Sequence, residues 1–545
     1  MKGRETKSFK IRSLESFFAK RIFAIPRLQR EFVWNAKKAC DLLDSIYKGF
    51  PIGTVLIWRA KKAMQYNLNQ ELTALPIYNP NNNNKVYFII DGQQRLSVLY
   101  RIMCGDKIEN SNGKEIDFSR IYLNLDKKAE PQFLYLRRHD EDQHLRVSDI
   151  LSPRWKTIFK NYPAYKMRKI KECRERIKNY KVPFEYIETD NLGEVRETFV
   201  RINSTGTRLS SADKAFTLAA SFNLKNRINA IRRDFKNGFE NMDRIFLLRA
   251  IALIYDAPQI SERGISSVID KIESSEELQK EFDNDWKYLG PAYGKAIDYL
   301  KKNFCVYDYS MIPSVNMIPL LATFFYHYNR SQPDPYQMRQ IKKWFWYTGI
   351  TGRYSGAGYH KNIMEDYNYF LKLSEGKQKP FKIEEKVSFI KMKFSDYSGG
   401  SSLTKAFLCM LASKKPRYLD GGGEIPLAQH NSSANKKNRH HIFPRAHLRV
   451  KGLSRNYYNS IGNITYFTWQ DNIRVSSNPP YKYLAEYRNN GYLRKVLNSH
   501  LIPHTNEYGL WMRDTKKGYK LFLEERINLI CDQFEKLAGA EIFED

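Results

Sequence analysis

Long apolar runs, paired cysteines and a leader-like start are all missing from this sequence. No apolar run reaches the roughly 18 to 20 residues that a membrane-spanning helix needs. The residues from Met1 to Lys10 are polar, and no small-residue cleavage site follows an apolar stretch. The six cysteines are scattered without a CxxC pair, which argues against a disulfide framework or a zinc knuckle. We therefore expect a cytoplasmic protein without membrane spans.

Acidic residues are also scarce relative to basic ones. Lys plus Arg total 90 against 59 for Asp plus Glu, which gives a net charge of +31. The hydrophobic content of 42% and aromatic content of 14% are typical of a folded protein, so this charge belongs to structured surfaces. A polyanion is the partner that such a surface attracts, which favours a nucleic acid. Double-stranded DNA is the nucleic acid that we expect from the motifs described below.

The 545 residues exceed the size of a single core, and the pattern predicts three domains of a mixed α/β (α+β) protein. In residues 1–215 short β-type runs, such as 54–58 (TVLIW) and 86–90 (VYFII), alternate with helical segments. Residues 216–395 have helical periodicity, and the Lys-, Pro-, Gly- and Ser-containing segment 377–402 is the predicted linker. Residues 396–545 form the third predicted domain and end in a predicted helix from about Tyr519 to Leu537.

A polar segment, DGQQR, follows the predicted strand 86–90 and precedes a helical pattern. Turns from a strand into a helix are where α/β folds present polar groups and free N–H donors to phosphates. A plain turn and a salt-bridged surface are the structural alternatives. The candidate nucleotide-binding residues are Gln29, Arg30, Asp91, Gly92, Gln93, Gln94, Arg95 and Asn203.

A second constellation lies near the C-terminus, where RHHIFP at 439–444 is followed by GNIT at 462–465 and by Asn472. An imidazole titrates near neutrality and suits a general base, so His441 is predicted to deprotonate water, with Asn463 orienting it. His440 and Asn472 are predicted to bind a divalent metal, Mg²⁺ or Mn²⁺, and both count as catalytic candidates. Arg439, Arg445 and Lys482 are the predicted DNA contacts, although a solvated basic face explains them equally well.

Both constellations resemble one known family, the GmrSD-type modification-dependent (type IV) restriction endonucleases. The C-terminal motifs are similar to the family's HNH, or ββα-metal, nuclease domain. The N-terminal half resembles its ParB-like DGQQR domain in five blocks: 25–34, 42–46, 50–53, 91–96 and 199–207. Residues 352–356 (GRYSG) also resemble a motif of the family's helical region. The family commonly has an acidic residue where this chain has His440, which leaves the metal preference open.

The resemblance implies hydrolysis of a nucleoside triphosphate by the first domain and cleavage of modified foreign DNA by the last, in bacterial defence. The helical middle domain would transmit the state of the first domain to the nuclease. Two alternatives stay open: a nucleotide-switched DNA-binding regulator without nuclease activity, and an HNH nuclease that acts on RNA. The modification, the nucleotide, nicking versus double-strand cleavage, homo-oligomerisation and any co-encoded defence protein are undetermined by the sequence.

The predicted metal site lacks charge of its own. No Asp or Glu occurs from Ile425 to Gln470, an interval that is rich in Lys and Arg. Because the predicted ligands are neutral, DNA phosphate must complete the metal shell. We therefore predict weak metal binding without DNA, and calorimetry that finds tight Mg²⁺ binding to the DNA-free protein would contradict this.

Overall fold

The structure is a computed structural model that describes residues 4–26, 29, 32–61, 74–76, 78–79, 85–109, 115–126, 130–205, 211–219, 222–256, 260–328, 332–430 and 439–544. The chain divides into two compact units, Met1–Asn223 and Leu224–Asp545. Together they contain helices and several small sheets, which confirms the mixed α/β class. The finer division into three domains stays a prediction.

The first unit is built around strands flanked by helices. Its strands are β1 (Arg4–Lys10), β2 (Phe23–Ala24), β3 (Val55–Lys61), β4 (Lys85–Asp91), β5 (Lys107–Glu109), β6 (Glu115–Asp117), β7 (Ile121–Asn124), β8 (Phe133–Tyr135), β9 (His144–Arg146) and β10 (Lys181–Glu188). Its helices are α1 (Ile11–Ala19), α2 (Ala36–Lys48), α3 (Gln93–Cys104), α4 (Val147–Leu151), α5 (Trp155–Ile158), α6 (Ala164–Asn179), α7 (Leu192–Thr205) and α8 (Ser211–Leu218).

A mixed five-stranded sheet forms the centre of the first unit, with strand order β1-β10-β3-β4-β2. Strands β3 and β4 pair antiparallel, while β10 runs parallel to β3. Both sheet faces are apolar: Ile57 and Ile89 join a core with α1, α2, α3 and α6, whereas Trp58 stacks on Phe88 on the other face, at 4.9 Å between ring centroids. Both predicted buried strands are confirmed as β3 and β4, and the polar DGQQR segment lies at the turn into α3 as predicted.

The second unit is mostly helical. Its helices are α9 (Leu224–Asp234), α10 (Arg244–Ile254), α11 (Glu262–Glu273), α12 (Glu276–Phe304), α13 (Met317–His327), α14 (Pro335–Thr351), α15 (Tyr359–Ser374), α16 (Phe389–Lys393), α17 (Ser402–Ser413), α18 (Leu427–His430), α19 (Arg445–Val450), α20 (Arg455–Tyr458), α21 (Trp469–Val475), α22 (Pro480–Tyr483), α23 (Leu493–Ser499) and α24 (Thr515–Ala538). Its strands are β11 (Val387–Ser388), β12 (Arg439–His441), β13 (Ile464–Tyr466) and β14 (Phe543–Glu544).

The helical periodicity predicted for the middle of the chain is confirmed, since the regular elements that the described residues form from 224 to 374 are all helical. A buried network holds the GRYSG segment there. Arg353 and Tyr354 both donate to the carboxylate of Asp366, and the Trp344 indole donates to it as well, at 3.2 Å. Burial raises the pKa of Asp366 although the Arg353 charge acts in the opposite direction. This motif therefore stabilises the helical packing.

The segment predicted as a linker, residues 377–402, is more structured than expected. It contains β11, which pairs in parallel with β14, and the short helix α16. Beyond α16, Asp396 forms an antiparallel bridge with Ser460, next to the GNIT segment. Composition indicated a flexible connection, but backbone pairing with distant parts of the chain orders it.

A buried arginine fixes the long C-terminal helix α24 to the segment around β13. Arg526 is fully buried and donates to four backbone carbonyls: those of Gly462 (2.7 Å), Ile464 (2.8 Å), His500 (3.1 Å) and Leu501 (3.1 Å). Burial lowers its pKa to about 9, which leaves the guanidinium charged at neutral pH. A planar fork with five N–H donors can serve several carbonyls at once, and a lysine ammonium cannot match that geometry.

We therefore expect Arg526→Lys to destabilise the second unit by roughly 3 kcal/mol, because carbonyls would be left buried without donors. Hydrogen exchange of amides in α24 and β13 measures this opening, and it should become much faster in the variant. Arg494→Lys, at an exposed position on α23, is the matched control and should leave exchange unchanged. Equal protection in both variants would contradict a central role for Arg526.

Candidate active site

The residues predicted to carry nuclease chemistry lie on two short paired strands followed by a helix. Strand β12 pairs antiparallel with β13, with His440 opposite Thr465 and His441 opposite Ile464. Helix α21 begins three positions after the end of β13, and Thr468 and Asp471 form a reciprocal capping box at its start. Along the chain, α19 and α20 lie between the two strands. The paired strands are then followed by a helix, which is the arrangement that a ββα nuclease needs.

The imidazole of His441 is half-buried and contacts the side-chain amide of Asn459, a residue that the sequence motifs did not predict. Its Nε2 lies 3.4 Å from Oδ1 of Asn459. Burial lowers the pKa of His441, the contact with Asn459 raises it, and the positive charge of Arg445 lowers it. The net direction is downward, so the imidazole is neutral at neutral pH and its lone pair is available to accept a proton.

The side chain of Asn463 bonds to backbone. It is fully buried, accepts from the backbone N–H of Phe443 (2.9 Å) and donates to the carbonyls of Phe443 (2.9 Å) and Tyr458 (3.0 Å). Asn463 thus joins the backbone after β12 to the backbone after α20. Its predicted role in orienting the His441 ring stays a prediction.

The other residues of the GNIT segment are equally structural. A Cβ at Gly462 would lie 2.7 Å from Leu523 Cδ1 and 2.9 Å from Ile527 Cδ1, so only glycine allows α24 to pack this closely. The Thr465 hydroxyl lies 2.7 Å from Nδ1 of His500, a buried residue whose pKa burial lowers to about 4. The segment thus anchors β13 to the rest of the unit.

The two predicted metal ligands lie on different elements. His440 is half-buried on β12, and Asn472 is half-buried on α21, in the turn that follows the capping box. No group of three or more His, Cys, Asp or Glu side chains suited to a metal occurs among the residues that the structure describes. The metal-binding role of His440 and Asn472 stays a prediction.

Basic side chains lie on the elements next to the two histidines. Arg445 and Lys482 are exposed, and both belong to elements that start or end close to β12: α19 begins at Arg445, and Tyr483 on α22 donates to the carbonyl of Ile442 (3.0 Å). The charge of Lys482 also lowers the pKa of His447, after burial and Lys451. The side chain of Arg439 lies outside the described residues.

Two residues missed by sequence reasoning complete this neighbourhood. Asn459 precedes the GNIT motif by three positions, and Asp396 comes from the segment predicted as a linker. Asn459 Nδ2 donates to Asp396 Oδ1 at 3.1 Å. The local sequence gave no signal for either residue, because the contact depends on the pairing of segments more than 60 positions apart.

In the first unit, the DGQQR residues mainly hold backbone segments together. Arg95 donates to the carbonyls of Ile52 (2.6 Å) and Thr54 (2.9 Å) and to Asp91 Oδ2 (2.8 Å). Its Nη1 would lie only 2.7 Å from a Cβ at Gly53, whose φ is +82°. The guanidinium predicted to bind phosphate is thus largely occupied by the loop before β3.

Two of the three buried glutamines of this region, Gln29 and Gln94, also bond to backbone. Gln94 Oε1 accepts from the N–H groups of Val33 (2.9 Å) and Trp34 (3.3 Å). Gln29 Nε2 donates to the carbonyls of Ile89 (3.0 Å) and Ile90 (2.6 Å), near the C-terminal end of β4. Both residues therefore position the strand-to-helix turn. Whether they also contact a nucleotide stays a prediction.

Gln93 differs from its neighbours. It is only 4% exposed, and its Oε1 makes no hydrogen bond with the residues that the structure describes. It is the first residue of α3, directly after Gly92, whose φ of +91° forms the left-handed turn. A Cβ at Gly92 would lie 2.9 Å from Val55 Cγ2, so glycine is required there. Arg30 and the side chain of Asn203 lie outside the described residues.

Residues 14–219 match the GmrSD restriction endonuclease, N-terminal domain, family. The match covers most of the first unit, including the DGQQR turn.

A second similarity extends along nearly the whole chain. Uncharacterized protein MJ0686 of Methanocaldococcus jannaschii is 25% identical over an alignment of 597 residues, which covers 96% of each chain. The first unit, which contains the GmrSD-type match and is called the GmrSD-type unit below, and the helical second unit therefore have counterparts in this relative.

Among the described residues, no helix combines the length and apolarity needed to cross a bilayer.

The contacts of Arg95 predict a structural effect within the GmrSD-type unit. Arg95→Ala removes three hydrogen bonds from a side chain that is 15% exposed, and we expect it to destabilise this unit by about 2 to 4 kcal/mol. Hydrogen exchange in β3 and α3 of the full chain measures the change. Unaltered exchange combined with lost nucleotide binding would show instead that Arg95 acts on the ligand alone.

Proposed function

We propose that this chain is a metal-dependent HNH endonuclease that cuts modified foreign DNA in the cytoplasm under the control of a nucleotide-using N-terminal unit. The observation that carries the proposal is His441: a neutral imidazole on a strand-strand-helix arrangement, with one ring nitrogen against an amide oxygen and basic residues nearby. The match to a restriction endonuclease family supports the same reaction class.

In the proposed reaction His441 accepts a proton from the attacking water. Arg445 and Lys482, both exposed, would bind phosphate oxygens and hold the scissile bond beside the imidazole. A divalent ion, when bound, supplies Lewis acidity to the phosphate and stabilises the leaving oxygen. The protein thus needs to provide the base, the phosphate contacts and part of the metal shell.

The donors present fit such an ion only in part. His440 and Asn472 offer one neutral nitrogen and one neutral oxygen, while the carboxylate of Asp396 is engaged by Asn459 and by Arg455 at 3.2 Å. A shell of neutral donors favours an ion that arrives with, or is completed by, the phosphate of the substrate. This fits a nuclease that assembles its metal site on DNA.

Control by a nucleotide is proposed for the GmrSD-type unit. Helix α3 begins without a side-chain cap in the part of the chain that the structure describes, and Gln93 adds a buried amide whose oxygen has no partner among the described residues. Asp91 is available at the end of β4 to carry a cation, although it also pairs with Arg95. These groups suit a nucleoside triphosphate better than the occupied side chains of Gln29, Gln94 and Arg95 do.

The proposal is tested by cleavage of plasmid, hypermodified phage DNA and a structured RNA, with Mg²⁺ or Mn²⁺ and with each nucleoside triphosphate. We expect His441→Ala to reduce the cleavage rate at least about 10³-fold, since it removes the base. His504→Ala, in the same unit but outside the site, is the matched control and should cleave like the wild type. RNA cleavage without DNA cleavage would replace the substrate proposed here.

Two variants on α3 test the proposed control of cleavage by nucleotide. Gln93→Ala should weaken the dependence of cleavage on nucleotide, while Ser97→Ala, which removes a buried hydroxyl one turn later on α3, should not. A wild-type protein that binds DNA and nucleotide but never cuts would favour the regulator without nuclease activity. Cleavage of modified DNA at the same rate with and without nucleotide would contradict the gating.

A further inference from the structure

The contacts of Asn459 define the orientation of its own amide. Asn459 lies directly after α20 and donates both of its Nδ2 hydrogens, one to Asp396 Oδ1 at 3.1 Å and one to the carbonyl of Tyr397 at 3.2 Å. Turning the amide over would bring its oxygen against a carboxylate and a carbonyl, which are both acceptors. The hydrogen-bond pattern therefore fixes Oδ1 on the side that faces His441.

The backbone holds this group of residues in place. The N–H of Tyr397 donates to the carbonyl of Asn459 at 2.8 Å, and the N–H of Ile461 donates to the carbonyl of Ser395 at 3.0 Å. Between these two bonds Asp396 forms its bridge with Ser460. The segments 395–397 and 459–461 are thus paired like two short strands, so the carboxylate and the amide cannot drift apart independently.

An amide oxygen only accepts hydrogen bonds, and this has a consequence for the imidazole. A neutral imidazole carries one proton, on either Nε2 or Nδ1. Because Nε2 is the atom that lies 3.4 Å from Asn459 Oδ1, the contact is a hydrogen bond only when the proton is on Nε2. The lone pair is then on Nδ1.

We propose that Asn459, held by Asp396, is a positioning residue that selects the Nε2–H tautomer of His441 and so makes Nδ1 the atom that accepts the proton from water. The selection of the tautomer stands on the contacts alone. The role of Nδ1 as the base rests on the nuclease function proposed above.

Arg455 extends the same chain of contacts to the surface. Its guanidinium lies 3.2 Å from Asp396 Oδ2, whereas the hydrogen bond from Asn459 goes to Oδ1. Arg455 itself is 71% exposed, so this ion pair contributes little to stability. The guanidinium and the Asn459 amide thus contact different oxygens of the same carboxylate.

A spectroscopic test needs no nuclease activity. The ¹⁵N shifts of the imidazole nitrogens distinguish the two neutral tautomers, and His441→Gln assigns the signal in the full-length, histidine-labelled protein. We expect the wild type to show the Nε2–H form alone and Asn459→Ala to show a mixture. Asn456→Ala, an exposed asparagine on α20, is the matched control and should resemble the wild type. An Nδ1–H form in the wild type, or no change in Asn459→Ala, would overturn the proposal.

An exchange of the two partners separates positioning from simple packing. In the double variant Asn459→Asp with Asp396→Asn, one carboxylate oxygen would still accept from Nε2–H, and the new amide would donate to the other oxygen, which would also face the Tyr397 carbonyl. We expect this variant to show more of the Nε2–H form than Asn459→Ala does, and equal mixtures in the two variants would count against tautomer selection.

Steady-state kinetics of DNA cleavage measure the effect of Asn459 on the reaction. Asn459→Ala should lower kcat about 10- to 100-fold with KM unchanged, because Asn459 touches the base and not the DNA. An unchanged kcat in a wild-type background that cleaves DNA would overturn the role of Nδ1 while leaving the nuclease proposal intact. If the wild type fails to cleave, the nuclease proposal falls and the ¹⁵N result still decides the tautomer.

Discussion

The second unit depends on the buried guanidinium of Arg526. Its hydrogen bonds within the described residues go to backbone carbonyls and not to a carboxylate. Removing a charge from water costs several kcal/mol, and the four carbonyls that accept from Arg526 offset this cost. Two of those carbonyls belong to Gly462 and Ile464, on either side of Asn463. Helix α24, β13 and the backbone after α20 therefore form one rigid support, and His441 is carried on the strand paired to it.

In both units, most polar residues of the motifs hold the backbone together. Residues that a motif presents as chemical groups mostly bind backbone: Asn463 holds the residue after Ile442, and Gln94 and Arg95 hold the loops before α2 and β3. The imidazole of His441 and the amide of Gln93 are among the motif groups that these backbone contacts leave for the proposed chemistry. The polar residues of a motif can thus stabilise the fold as well as serve a reaction.

Local patterns were enough to predict elements whose packing is local. The apolar runs at β3 and β4, the turn at Gly92 and the helical periodicity of the middle segment all follow from side-chain size, alternation and glycine geometry. The partner of His441 could not be predicted in this way. Asp396 and Asn459 meet only because two distant segments pair, and their composition resembles that of any surface loop. Likewise, only the packing against α24 shows why position 462 must be glycine.

In the proposed nuclease the GNIT segment supports the site and His441 supplies the chemistry. Single-turnover cleavage and thermal unfolding, measured side by side for His441→Ala and Gly462→Ala, separate these two roles. We expect His441→Ala to keep the wild-type unfolding temperature and to lose cleavage. Gly462→Ala, whose new methyl meets α24, should unfold about 1 to 3 kcal/mol more easily yet cleave normally at temperatures where it remains folded. Cleavage by His441→Ala, or a stably folded but inactive Gly462→Ala, would contradict these roles.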